Sequence, residues 1–139
     1  MASTQSEKRL LQRVVAVAAL IPVLAGLSGV LLGHGITGDR DPSVSADSHF
    51  RFLSGLLLGI GLCFWWTVPR IEAKTTLFRI LTLIVVIGGV ARLLGLWITG
   101  IPSLFMLMAL ATELVVTPVL CFWQTRVANR VAEETGVAP

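Results

Sequence analysis

Two ionisable residues stand where the sequence is otherwise apolar: Arg92, within residues 80–99, and Glu113, within residues 104–123. A charge near the centre of a bilayer costs a few kcal/mol, so such residues pair, line a cavity or carry a proton. Counted at about 1.5 Å per residue, Arg92 lies roughly 10 Å and Glu113 roughly 14 Å from the same outer side, where the third run ends and the fourth begins. Only residues 100–103 join the two runs, which makes them antiparallel neighbours. The matched depths predict an ion pair. That pair has two uses. It fastens the two helices, or it forms the polar centre of a site for a lipophilic substrate. In the second case Glu113 moves a proton and Arg92 steadies developing negative charge.

A second polar set lies in the long connection 34–51 and just after it. His49, Arg51 and Ser54 are candidate substrate-binding residues, entering the second apolar run from its outer end. With Asp47 they would form the mouth of a polar funnel above Arg92 and Glu113. Arg51 has an equal alternative, as an anchor to lipid headgroups. Asp39, Arg40, Asp41 and Pro42 read as a turn, and Asp47 or Ser48 as the cap of the following helix. His34, His49, Asp39, Asp41 and Asp47 are metal-capable types, but they lack tight ligand spacing, so no metal is assigned. Thr112 and Thr117 bond within their helix or line a pocket. Cys63 and Cys121 read as inert thiols, having no second thiol near either. No Gly-rich phosphate loop, nucleophile elbow or His-Glu-x-x-His motif occurs, and no cofactor is assigned.

Four apolar runs position these residues: 14–33, 52–69, 80–99 and 104–123. Each is about as long as the roughly 20 residues a bilayer-spanning helix needs. The 139 residues are 55% hydrophobic and only 14% charged, with a mean hydropathy of +0.84. That excludes a disordered chain, a disulfide scaffold and an ordinary soluble enzyme. Eight Lys and Arg flank one side of the runs: Lys8, Arg9, Arg13, Arg70, Lys74, Arg79, Arg126 and Arg130. Only Arg40 and Arg51 flank the other, so both termini are expected in the cytoplasm. The domain plan is then a cytoplasmic segment 1–13, a membrane domain 14–123 and a cytoplasmic tail 124–139. The first run is too long for a signal peptide and reads as a retained helix. Trp65, Trp66, Trp97 and Trp123 read as interfacial anchors. Small residues at four-residue spacing (Ala25, Gly29 and Gly33; Gly55 and Gly59; Ala91 and Gly95) predict close helix packing or an oligomer face. Pro22 and Pro118 predict kinks. Leu62-Cys63-Phe64-Trp65 echoes Leu120-Cys121-Phe122-Trp123, a faint sign of duplication.

Several stretches resemble a family of small bacterial membrane proteins, the domain of unknown function 4345 (DUF4345). They are 48–55 with 59–62, Phe78-Arg79 leading into 88–92, and 113–118 with Trp123-Gln124. The resemblance runs from Arg9 to Arg126. It implies Arg51, Ser54, Gly55, Arg79, Arg92, Glu113 and Pro118 as characteristic positions, and an architecture similar to small DoxX-like four-span proteins. It implies no activity.

The expected fold is all-α, an antiparallel bundle of four transmembrane helices in a bacterial inner membrane. The expected function is binding of a lipophilic small molecule, or service as an accessory membrane subunit. The alternatives are a membrane-embedded isomerase-like enzyme and a proton-coupled transporter acting as an oligomer. Expected partners are the lipid bilayer, a lipophilic molecule and a second copy or membrane protein. Nucleic acid is not among them.

Overall fold

The computed structural model describes residues 2–37 and 43–136. The turn read at Asp39, Arg40 and Asp41 lies outside the described residues. All regular structure among the described residues is helical. Four runs are long and apolar enough to cross a membrane: Ser3–Gly35, Val44–Arg70, Thr75–Thr99 and Leu104–Thr135. The shortest, at 25 residues, spans about 37 Å, against a hydrocarbon core of about 30 Å. Little of their apolar surface is covered by the protein itself. Between 6% and 28% of each run's most apolar window is buried.

The chain forms two compact units, residues 13–68 and residues 1–12 with 69–139. The first unit holds the end of α1 (Ala2–Ala18), α2 (Leu20–Leu32), a 3-10 turn (Gly33–Thr37) and α3 (Val44–Thr67). Pro22 has no amide to offer the Ala18 carbonyl, and the helix is interrupted for one residue at Ala19. The bonds Ala19 N to Val15 O (2.9 Å) and Val23 N to Ala19 O (3.3 Å) carry the chain through. Helices α2 and α3 pack through glycines. A Cβ on Gly26 would stand 2.5 Å from the Leu58 amide nitrogen, and one on Gly61 would stand 2.7 Å from Val23 Cγ2. Gly29 lies against Ser54. Gly59 faces open space, so the contact stripe of α3 runs through Ser54, Leu58 and Gly61 and not through Gly55 and Gly59.

Helix α3 starts earlier than the apolar pattern predicts. Ser43 is its cap, its hydroxyl accepting from the Ala46 amide at 3.1 Å. Neither Asp47 nor Ser48 caps it. The helix-compatible residues ahead of the apolar run extend it by two turns.

The second unit contains α4 (Thr75–Thr99), α5 (Leu104–Ala111), a π-turn (Thr112–Val116) and α6 (Thr117–Thr135). The first turns of α1 pack in it as well. Leu11, Ile71, Phe78, Leu81 and Val127 are its buried apolar core. Fully buried Gln124 donates to the Ile71 carbonyl at 2.7 Å and to Thr75 Oγ1 at 2.9 Å. Glu7 accepts from Trp123 Nε1 at 3.1 Å and from Arg130 at 2.5 Å, and Lys8 pairs with Glu72 at 2.8 Å. Trp123 thus spends its N–H on Glu7, and Trp65 spends its own on the Ala16 carbonyl at 2.9 Å. Trp66 and Trp97 stay exposed.

Candidate functional site

Helix α4 supplies Arg92, and the run opposite supplies Met106 and Glu113. Glu113 lies inside the π-turn. The cause is local. Pro118 has no N–H, and its ring crowds the carbonyl four residues back, that of Leu114. The chain relieves this by widening one turn. The Thr117 amide bonds the Thr112 carbonyl five residues back, and the Thr117 hydroxyl joins it at 3.0 Å. Thr112 in turn donates to the Met108 carbonyl at 2.9 Å. Both threonines therefore bond within their own helix. Single π-turns inside α-helices are frequent at functional sites. The sequence signals a disturbance at Pro118, but not its form.

Gly89 lets the two helices close on this turn. A Cβ there would stand 3.0 Å from Glu113 Cβ and 2.7 Å from Leu114 Cδ2. Arg92 follows at nearly one turn's spacing and meets Glu113 in a two-pronged pair. Nε donates to Oε2 at 3.0 Å and Nη2 to Oε1 at 3.1 Å. Both carboxylate oxygens are occupied. The remaining guanidinium nitrogen, Nη1, donates to Met106 Sδ at 2.8 Å. A thioether is a weak acceptor, so one arm of the fork holds a poor partner. The side chains are 35% and 18% exposed, so the pair lies at a surface, not in a sealed core. Met106 did not stand out in the sequence. Its spacing of seven residues before Glu113 places both on one helix face, and that is the signal that finds it.

The other candidate residues, Asp47, His49, Arg51 and Ser54, belong to the unit 13–68, while Arg92 and Glu113 belong to the second. Arg51 closes the end of α2. Its Nη1 donates to the Val30 carbonyl at 2.6 Å and the Leu31 carbonyl at 3.3 Å. These are among the last carbonyls of α2, which have no helical partner and favour a cation. Asp47 holds Arg51 Nε at 2.8 Å and accepts from the His34 amide at 2.7 Å. Gly33 makes this approach possible. Its φ of +64° turns the chain out of α2, and a Cβ there would collide with Asp47 and Arg51. Ser54 is buried against Gly29. His49 is exposed, its ring 6.5 Å from that of Phe52. Among the described residues no three His, Cys, Asp or Glu side chains converge. Cys63 and Cys121 are free, half-buried thiols in different units.

No curated protein and no solved structure matches the chain. The family model described as Domain of unknown function (DUF4345) matches residues 10–124, and the chain belongs to that family.

Proposed function

We propose that this DUF4345 chain is a multi-pass protein of a bacterial inner membrane that binds a lipophilic small molecule at Arg92. One observation carries the reading. The Arg92 fork is held in place by Glu113, and its third nitrogen rests on the Met106 sulfur. A carbonyl, phenol or quinone-type oxygen is a far better acceptor than a thioether. Methionine is unbranched and flexible, so it can yield the position. The surrounding exposed apolar surface suits the hydrocarbon part of such a molecule. Glu113 is then a positioning residue. In this arrangement both of its oxygens accept from Arg92, which weighs against the isomerase reading, where it would have to carry the proton.

A second reading rests on the same closed pair and on α4. If Arg92 and Glu113 only fasten the hairpin, the chain serves as an accessory subunit. Gly88 and Gly95 have nothing within 4 Å, which leaves room for a partner helix.

Mass spectrometry on the protein purified in mild detergent separates the two. Wild type, Arg92→Leu and Met106→Leu would be extracted in parallel. The expected result is one defined compound with wild type and Met106→Leu, missing from Arg92→Leu. Bulk lipid alone in all three overturns the binding reading and favours the accessory subunit.

A further inference from the structure

Thirteen residues before Arg92, about 20 Å along α4, Arg79 opens a second polar site. Arg79, Thr82, Pro118, Cys121, Phe122 and Thr125 line an open groove of about 390 Å³ between α4 and α6. Two independent features of it are unsatisfied. The Arg79 guanidinium has no carboxylate partner among the described residues. Among the described residues its one bond is a long one, Nη2 to Thr125 Oγ1 at 3.4 Å. Thr82 is 92% buried, and its hydroxyl has no hydrogen-bond partner among the described residues. A helical threonine ordinarily returns its hydroxyl to its own backbone. A buried hydroxyl left without a partner pays its desolvation with nothing in return.

The walls say what would satisfy them. Pro118, Cys121 and the exposed Phe122 ring offer apolar surface along α6. The polar end of the groove lies toward the start of α4, capped by Lys74, where the cations of α6 beyond the groove, Arg126 and Arg130, are paired with Glu7 and, among the described residues, leave Arg79 as its free charge. Basic pockets between spanning helices on the cytoplasmic side take phosphate headgroups.

We propose that this groove holds one anionic phospholipid, its phosphate on Arg79, its ester or phosphate oxygen on the Thr82 hydroxyl, and an acyl chain along Phe122 and Pro118. A zwitterionic lipid would bring its own ammonium against Arg79, which sets the preference. The proposal shares with the Arg92 reading only the membrane, and neither site needs the other.

Native mass spectrometry tests it, with phosphatidylglycerol or phosphatidylcholine added to the delipidated protein in detergent. Wild type should retain one phosphatidylglycerol in preference to phosphatidylcholine. Arg79→Gln should weaken retention about tenfold, the size of one charge-assisted bond. Thr82→Val, which keeps the volume, should weaken it several-fold, and Arg126→Gln by less than about twofold. Circular dichroism checks that each variant keeps its helices. Equal retention of the two lipids overturns the proposal. So does an equal loss in Arg79→Gln and Arg126→Gln, which would mean diffuse surface charge. Complete displacement by millimolar inorganic phosphate would make the site one for free phosphate, and overturns it as well.

Discussion

At the scale of the residue, Arg92 and Arg51 show two uses of one side chain. Arg92 spends two nitrogens on Glu113 and leaves the third on sulfur. Arg51 spends its fork on a helix end and on Asp47. Removing one partner of a fully buried pair costs about 3–5 kcal/mol, while an exposed pair contributes about 1 at most. At the depth counted for Arg92 and Glu113 their exposed share faces lipid and not water, which places each single removal toward the buried limit of about 3–5 kcal/mol. Arg92→Leu and Glu113→Gln should therefore each lower the unfolding midpoint in detergent. The double change Arg92→Leu with Glu113→Leu should cost less than the sum of the two, because neither charge is left behind. Strict additivity would mean that the pair does not interact. Arg51→Ala should cost about 1–2 kcal/mol by removing the cap on α2. Lysine should not restore it, since a point charge cannot reproduce the fork. His49→Ala should stay within about 0.5 kcal/mol. A histidine variant as unstable as the arginine one would show that the role given to Arg51 is wrong.

At the scale of the element, glycines set how closely each hairpin closes. Gly29→Ala should destabilise the unit 13–68, because its methyl meets the Ser54 side chain. Overpacking of this kind costs about 1–3 kcal/mol. Ser54→Gly should recover much of that loss in the double variant, and no recovery would place the clash elsewhere. Gly89→Val should do similar damage to the other hairpin, since it pushes α4 off the π-turn that carries Glu113. The same change at Gly88, which has nothing within 4 Å, should be tolerated in the monomer. If instead it breaks an oligomer on size-exclusion chromatography, the accessory-subunit reading gains its partner. The π-turn illustrates a limit of sequence reading. Pro118 announces a missing donor, but whether a helix kinks or widens depends on what packs against it. Here Gly89 lies against the widened turn.

At the scale of the whole molecule, run length and the clustering of Lys and Arg carry most of the reading. Cysteine-accessibility labelling in cells tests the orientation they predict. A cysteine placed at Ser45 should react with an impermeant reagent from outside, and one at Thr76 or Asn129 only after the membrane is opened. Labelling at Thr76 and Asn129 but not at Ser45 from outside would invert the topology, and labelling at all three would remove the membrane barrier. The helix count and the Arg92–Glu113 encounter were legible because apolar runs have a required length and depths can be counted. Arg51 was not, because an arginine at the end of an apolar run looks the same whether it faces headgroups, a funnel or the carbonyls of another helix. Gln124 and Glu7 were not, because both lie outside the apolar runs, one just after the last and one before the first. Their partners, Ile71 and Thr75 for one and Trp123 and Arg130 for the other, lie far away in the sequence.

Methyl-labelled methionine NMR tests ligand binding at Arg92, because Met106 is the residue a ligand must move. The chain has three methionines: Met1, Met106 and Met108. The delipidated protein would be titrated with a total lipophilic extract of the membranes it was purified from. With a ligand on Arg92 the Met106 methyl signal shifts on addition, Met108 moves far less, and Arg92→Leu abolishes the response. An unchanged Met106 signal, or equal shifts with and without Arg92, would contradict ligand binding at Arg92.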